Sequence, residues 1–218
     1  MAPMVRPLFF ACFRRRSTVH SECPRRRLRL HRRNVLCLDT SIGQILTLTW
    51  LQTRADRKTA EDLVNLRLIL EGAVKDARFE VQEDGKSVVI CHAEDCWVKG
   101  DPALLRSCIE NVLRNAVRYT KPQTEVSLSL DVMLNGSQSA RILVADCGEG
   151  VPAEALSRIF EPFYRVTEAG EHQIGGTGLG LSIAQKVAVV YGGSIQARNR
   201  EGGGLEIEIQ LPVNEREG

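Results

Sequence analysis

The chain has 218 residues, the length of one substantial domain with a segment left over. With 43% of residues apolar, 26% charged and 5% aromatic, its composition excludes wholesale disorder and a fibrous repeat. The net charge of +2 averages two opposite segments. Met1–Leu38 carries 10 Lys+Arg against 1 Asp+Glu, which leaves 19 against 26 from Asp39 onward, or +9 and −7.

In the first segment apolar residues cluster at Leu8, Phe9 and Phe10, and Arg14, Arg15 and Arg16 end that run well short of the roughly 18 apolar residues of a membrane span. Arg25, Arg26, Arg27, Arg29, Arg32 and Arg33 follow without a readable period, so residues 1–38 are expected to be a basic, self-repelling segment, disordered or loosely helical. Clustered arginine satisfies phosphate binding without specificity, and nucleic acid is not the partner expected. The seven cysteines are odd in number and scattered. They make neither a disulfide framework nor a paired zinc site, and Cys91, His92 and Cys96 have no matching pair downstream. Reduced thiols in a cytoplasmic setting are the simpler expectation.

From Asp39 the pattern predicts an amphipathic helix with Ile42, Ile45, Leu46 and Thr49 on its apolar stripe, and a polar linker closes the segment 39–62. Leu63, Leu66, Leu70 and Val74 recur at helical spacing, and strands are expected over 87–91 and around Trp97 and Val98. Gly100-Asp101-Pro102 reads as a helix start, with Asp101 as cap and Pro102 in the first turn. The helix presents Leu105, Ile109, Val112 and Ala116. Alternating Val126, Leu128, Leu130 and Val132 predict a half-covered strand over 125–134, joined through Asn135-Gly136-Ser137 to another over 141–145. A short helix over 152–160, a glycine-rich loop, a helix over 178–190, strands over 194–198 and 205–211 and a tail at 214–218 complete the chain. Helices separated by paired strands indicate an α+β fold of two layers, helices on a mixed sheet.

Four separated elements converge on nucleotide chemistry. Asn111 and Asn115 stand four apart on one helical face, with Arg118 and Tyr119 on the next turn. Carboxamide oxygens suit magnesium, while amide nitrogens and a guanidinium suit phosphate. Taken alone, this is equally an exposed polar face. Asp146-Cys147-Gly148-Glu149-Gly150 ends a strand with a side chain able to accept from an exocyclic amine and glycines that let backbone approach a flat base, although a calcium-binding or ordinary turn reads the same. Phe160-Glu161-Pro162-Phe163-Tyr164-Arg165 offers aromatic anchors for a lid, with Arg165 left for a phosphate. Gly175-Gly176-Thr177-Gly178-Leu179-Gly180-Leu181 opens a helix with unhindered amides but lacks the Lys-Ser or Lys-Thr ending of the usual phosphate loop. The ordered combination is far more specific than any member.

Together these residues resemble the catalytic, ATP-binding domain of bacterial two-component sensor histidine kinases, most closely the envelope-stress sensor class, over residues 63–213. The resemblance implies the two-layer α/β sandwich of the histidine kinase, gyrase and Hsp90-type ATPases, with ATP and Mg2+ as cofactors. It implies that Asn115 holds magnesium, that Asn111 and Arg118 approach the phosphates, that Tyr119 packs near adenine and that Asp146 recognises the adenine amino group beside Gly148 and Gly150. Arg165 and the loop Gly176, Thr177, Gly178, Leu179 and Gly180 would close over the phosphates, with Asn115 and Arg165 as the catalytic pair. The helix around Ile42 resembles the second helix of the family's dimerisation and phosphoacceptor hairpin, and a response regulator is the implied partner.

The family places its phosphoacceptor histidine on the first hairpin helix, followed directly by an acidic residue and by proline at the fifth position. None of His20, His31, His92 or His172 stands in that register, so no phosphoacceptor is identified. The expected function is therefore an ATP/Mg-binding kinase domain that is not expected to autophosphorylate alone, its imidazole either missing or supplied by another chain, by association with a histidine-bearing hairpin or as a dimer. The alternative from a different class is a non-catalytic ATP-binding module that regulates a partner kinase or response regulator through the helix carrying Ile42 and Leu46.

Overall fold

A computed structural model describes residues 62–81, 85–135, 137–166 and 176–214. The basic segment 1–38, the helix expected from Asp39 and the linker before Asp62 lie outside the described residues.

The first described element is a strand, β1 (Asp62–Asn65), where the leucine spacing predicts helix from Leu63. It pairs antiparallel with β3 (Trp97–Gly100), Leu63 opposite Lys99, so pairing overrides the helical period there. Helix α1 (Leu66–Glu80) begins where the Asn65 side chain accepts the Leu68 N–H at 3.2 Å, a cap that stops the helix from extending upstream. Leu66, Leu70, Ala73 and Val74 form its buried face.

Helix α2 (Pro102–Tyr119) starts as its sequence predicts. Asp101 Oδ1 accepts from Ala103 N at 2.8 Å and Leu104 N at 3.4 Å, and Pro102 takes the first turn, where its missing donor costs nothing. The helix packs against α1 on one side and against α3 (Gly180–Val190) on the other. It buries Leu105, Ile109, Val112, Leu113 and Ala116.

Beneath the helices lies a five-stranded sheet. In order across it stand β2 (Ser87–Ala93), β4 (Glu125–Asn135), β5 (Ser137–Ala145), β7 (Leu205–Pro212) and β6 (Ser194–Asn199). Only the β2–β4 pair is parallel, which makes the sheet mixed as expected. Alternation assigns the faces: Val126, Leu128, Leu130, Ala140, Ile142, Val144, Ile207 and Ile209 turn into the core, while Ser127, Ser129, Asp131 and Arg141 point the other way. Strand β5 starts at Ser137, earlier than the expected 141, because the β4–β5 hairpin stays paired to Asn135 opposite Ser137.

Two further expectations are corrected. The helix predicted over 152–160 is two separate 3₁₀ turns, Ala153–Ala155 and Arg158–Phe160. Their i to i+3 bonds, such as Ala155 N to Pro152 O at 2.8 Å, let Ala155 and Phe160 both reach the core over a stretch too short for α-helical cooperativity. Helix α3 begins at Gly180 rather than 178, because Gly178 has φ +71, outside the helical region.

Candidate functional site

The last two turns of α2 form the floor of the site. Asn111 is buried, and its Nδ2 donates to the Ser107 carbonyl at 2.8 Å, which fixes the carboxamide so that Oδ1 faces the start of α3. A Cβ added at Gly180 would stand 3.1 Å from that oxygen. Asn115 is half-buried one turn further on, and Arg118 and Tyr119 are exposed on the turn after that. The Arg118 guanidinium lies directly against Gly176. Thr120 caps α2, and its hydroxyl accepts the Cys147 N–H at 3.2 Å, which ties the helix end to the loop after β5.

In that loop the Asp146 side chain is buried, 3% exposed, and is held by backbone alone. Oδ1 accepts from Gly148 N at 2.8 Å and from Leu205 N at 3.1 Å. Oδ2 takes no hydrogen bond from any described residue, and so remains an acceptor for a ligand. Burial raises the carboxyl above the usual carboxylate range, opposed by the two N–H donors and by the positive charge of Arg200. Gly148 sits where no side chain fits: a Cβ would be 2.6 Å from the Tyr119 carbonyl oxygen.

The loop from Phe160 is pinned at two points. Phe160 is buried, whereas Phe163 is 68% exposed with φ +65 and donates its N–H to the Gly178 carbonyl at 3.0 Å. At Gly178 a Cβ would come within 2.9 Å of the Phe163 backbone, and the positive φ adds strain to any other residue. Arg165 is half-buried two residues beyond Phe163, and residues 167–175 lie outside the described set. Thr177 Oγ1 accepts from Leu179 N at 3.3 Å. The Leu179 side chain is fully buried, so this residue offers a ligand its backbone only. The first-turn amides of α3 therefore open next to Asn111 and Arg118, an arrangement that favours anions.

Two residues that the sequence reading missed lock the Asp146 loop from behind. Arg200 donates to the Asp146 carbonyl at 2.6 Å. Asn199 grips Val151, accepting its N–H at 3.0 Å and donating to its carbonyl at 2.7 Å. Both stand at the end of β6, before Gly202-Gly203-Gly204, and a polar pair at the mouth of a glycine turn was the signal available. Replacing Asn199 by alanine is expected to cost about 1–2 kcal/mol for the two lost bonds. Chemical denaturation measures the loss, and a variant as stable as the parent would remove Asn199 from this role.

The described cysteines Cys91, Cys96, Cys108 and Cys147 are all unpaired. Burial, followed by Glu94 and Asp95, pushes the Cys96 thiol up to about 11, and burial alone pushes Cys108 up to about 12, so both are inert packing thiols.

The fold thus gathers Asn111, Asn115, Arg118, Tyr119, Asp146 and the loop from Gly176 to Gly180 around one end of α2. Residues 100–215 match the family described as Histidine kinase-, DNA gyrase B-, and HSP90-like ATPase. Sensor histidine kinase CpxA of Escherichia coli K12 is 32% identical over 209 residues, covering 94% of this chain and 43% of its own length. Sensor histidine kinase WalK of Bacillus subtilis is 36% identical over 121 residues, covering 56% of this chain and 20% of its own. The chain therefore spans less than half the length of these relatives. Among solved structures, full-length ShkA in complex with AMPPNP superposes with a TM-score of 0.69 at 25% identity, covering 82% of this chain and 36% of that one. The mycobacterial sensor histidine kinase MprB gives 0.63 at 23% identity, covering 72% of this chain and 99% of that one, a likeness of fold. The chain belongs to the histidine kinase, DNA gyrase B and HSP90-like ATPase family, and its described core is the ATP-binding catalytic domain of sensor histidine kinases.

Proposed function

We infer that this domain binds ATP with magnesium and presents the γ-phosphoryl group to an imidazole nitrogen supplied by a separate histidine-bearing hairpin. The observation that carries this reading is the meeting of α2 with the start of α3, where Asn111 Oδ1 lies against Gly180 and Arg118 against Gly176. Asp146 Oδ2 would accept from the adenine amino group, Gly148 and Gly150 would let the base approach, and Tyr119 would pack beside it. Asn111, Arg118 and the amides from Gly176 to Gly180 would hold the phosphates.

Asn115 fits a magnesium ligand. Its carboxamide is half-buried on the same helical face as Asn111, and an oxygen donor suits a hard cation. The ion, when bound, would neutralise charge on the phosphate oxygens. Arg165 would add a guanidinium to the γ-phosphoryl oxygens as charge builds there. In the step itself an imidazole nitrogen bonds to the γ-phosphorus, the bond from that phosphorus to the bridging oxygen breaks, ADP leaves with the electron pair, and the ring N–H proton passes to solvent. The nucleotide-binding region so defined runs over 63–213, and a response regulator would be the downstream acceptor.

The histidines of this chain support a separate source for the imidazole. None has the phosphoacceptor register, and His92 projects from β2 beside Ser129, on the sheet face turned away from the helices. The test is transfer of label from γ-labelled ATP to a histidine-containing hairpin added in trans. Label is expected on the hairpin with the wild-type chain and at least about a hundredfold less with Asn115→Ala. ATP binding without transfer would instead favour the non-catalytic regulatory module. No calorimetric binding of ATP or ADP in magnesium would end both readings.

A further inference from the structure

The sheet face turned away from the helices carries a cluster that nucleotide binding does not use. His92 on β2, Glu94 just past its end and Asp131 on β4 each turn one ligand atom toward a common point, and these atoms lie within 4.8 Å of one another. His92 Nε2 is 3.2 Å from Glu94 Oε1 and 4.0 Å from Asp131 Oδ1. The other oxygen of each carboxylate is already held. Glu94 Oε2 accepts from Val132 N at 3.2 Å, and Asp131 Oδ2 accepts from Arg141 Nη2 and from Ser129 Oγ, each at 3.2 Å. The Glu94 backbone is anchored as well, its N–H donating to the Leu130 carbonyl at 2.9 Å. A register shift between Ile90 and His92 brings the imidazole opposite Ser129, on the same face as Asp131, a local re-aiming of the kind that bulges produce.

We propose that His92, Glu94 and Asp131 form a binding site for a zinc-class divalent cation that ties the edge strand β2 to β4. One imidazole nitrogen and two carboxylate oxygens are a donor set for zinc or a similar transition ion rather than for magnesium, which prefers oxygen alone. Bonds of about 2.0–2.2 Å in a tetrahedron put ligand atoms about 3.3 Å apart, so one pair is already at that spacing and the Asp131 oxygen needs a small side-chain adjustment. The held outer oxygens limit the rotation of both carboxylates, as outer partners do in metal sites. Three protein ligands leave a fourth position for water. The site lies outside the residues placed around ATP, so its occupancy acts on the stability of the β2 edge and leaves nucleotide affinity unchanged.

The experiment titrates zinc into the full chain, free of nucleotide, in competition with a chromophoric chelator, and compares the wild type with His92→Ala, His92→Gln and Asp131→Asn. Circular dichroism confirms that the variants, all at exposed or half-exposed positions, are folded. The wild type is expected to take up one zinc equivalent more than the variants, or to bind that equivalent at least about tenfold tighter. Zinc should also raise its thermal midpoint more than theirs. Zinc uptake and a thermal shift identical in wild type and all three variants would assign any binding to other groups and overturn the proposal. So would a wild type that takes no zinc from the chelator.

Discussion

Asp146→Asn is expected to lower ATP affinity about a hundredfold, roughly 3 kcal/mol, while leaving the domain folded. The two oxygens of the carboxylate have different duties. Oδ1 is committed to the Gly148 and Leu205 amides, and an asparagine carbonyl oxygen can keep both bonds. The outer atom, however, changes from an acceptor to an NH2 donor, which in the proposed role would meet the donating adenine amino group with the wrong polarity in a buried place. Calorimetric titration with ATP measures the loss, and a variant that binds like wild type would remove Asp146 from base recognition.

The same carboxyl predicts a pH dependence. Burial favours its neutral form, so its folded-state value lies above the unfolded one, and the resulting contribution to stability is present at low pH and lost as pH rises through the folded value. With Oδ1 committed to two N–H donors, protonation falls on Oδ2 and turns it into a donor, so the proposed acceptance from adenine needs the charged form. Acidification should therefore weaken ATP binding above the ordinary aspartate range of about 4, in the window where this carboxyl gives a relative gain in stability. Asp146→Asn should show no such change in affinity.

Gly148→Ala should be the more damaging substitution to the domain as a whole, with a loss of about 3 kcal/mol in unfolding free energy and of most nucleotide binding. The new methyl would stand 2.6 Å from the Tyr119 carbonyl oxygen and 3.0 Å from Asp146 Oδ1, and the first of these belongs to backbone that cannot swing aside. Relief requires the Asp146 loop to move off the end of α2, which breaks the Cys147 N–H bond to Thr120 as well. Denaturant unfolding monitored by circular dichroism reads the stability. An unchanged midpoint would mean that the loop has more room than the described contacts allow.

These two residues show how far the sequence could be read. Asp146 and Gly148 stand out by spacing, and with the asparagine row, the aromatic segment and the glycine loop they sufficed to indicate the family. The cap at Asp101-Pro102 and the alternation of β4 were equally legible, because an N-cap and a pleat act within a few residues. The strand at Leu63 and the paired 3₁₀ turns before Phe160 were not legible for the complementary reason. Leu63 follows a helical period but is claimed by Trp97–Gly100 across the small sheet, and the turns are shaped by the need to bring Ala155 and Phe160 into one core.

By itself, then, the sequence determined the family and most of the elements, since helical spacing, capping and glycine content are local properties of the chain. Only the tertiary structure decided that Gly176 rests on Arg118, that Gly180 faces Asn111 and that Arg200 and Asn199 brace the Asp146 loop. It also decided that the carboxyl of Asp146 is buried with one oxygen left over. Desolvation and unsatisfied hydrogen-bonding capacity depend on what distant segments place around a group, and no local pattern encodes them.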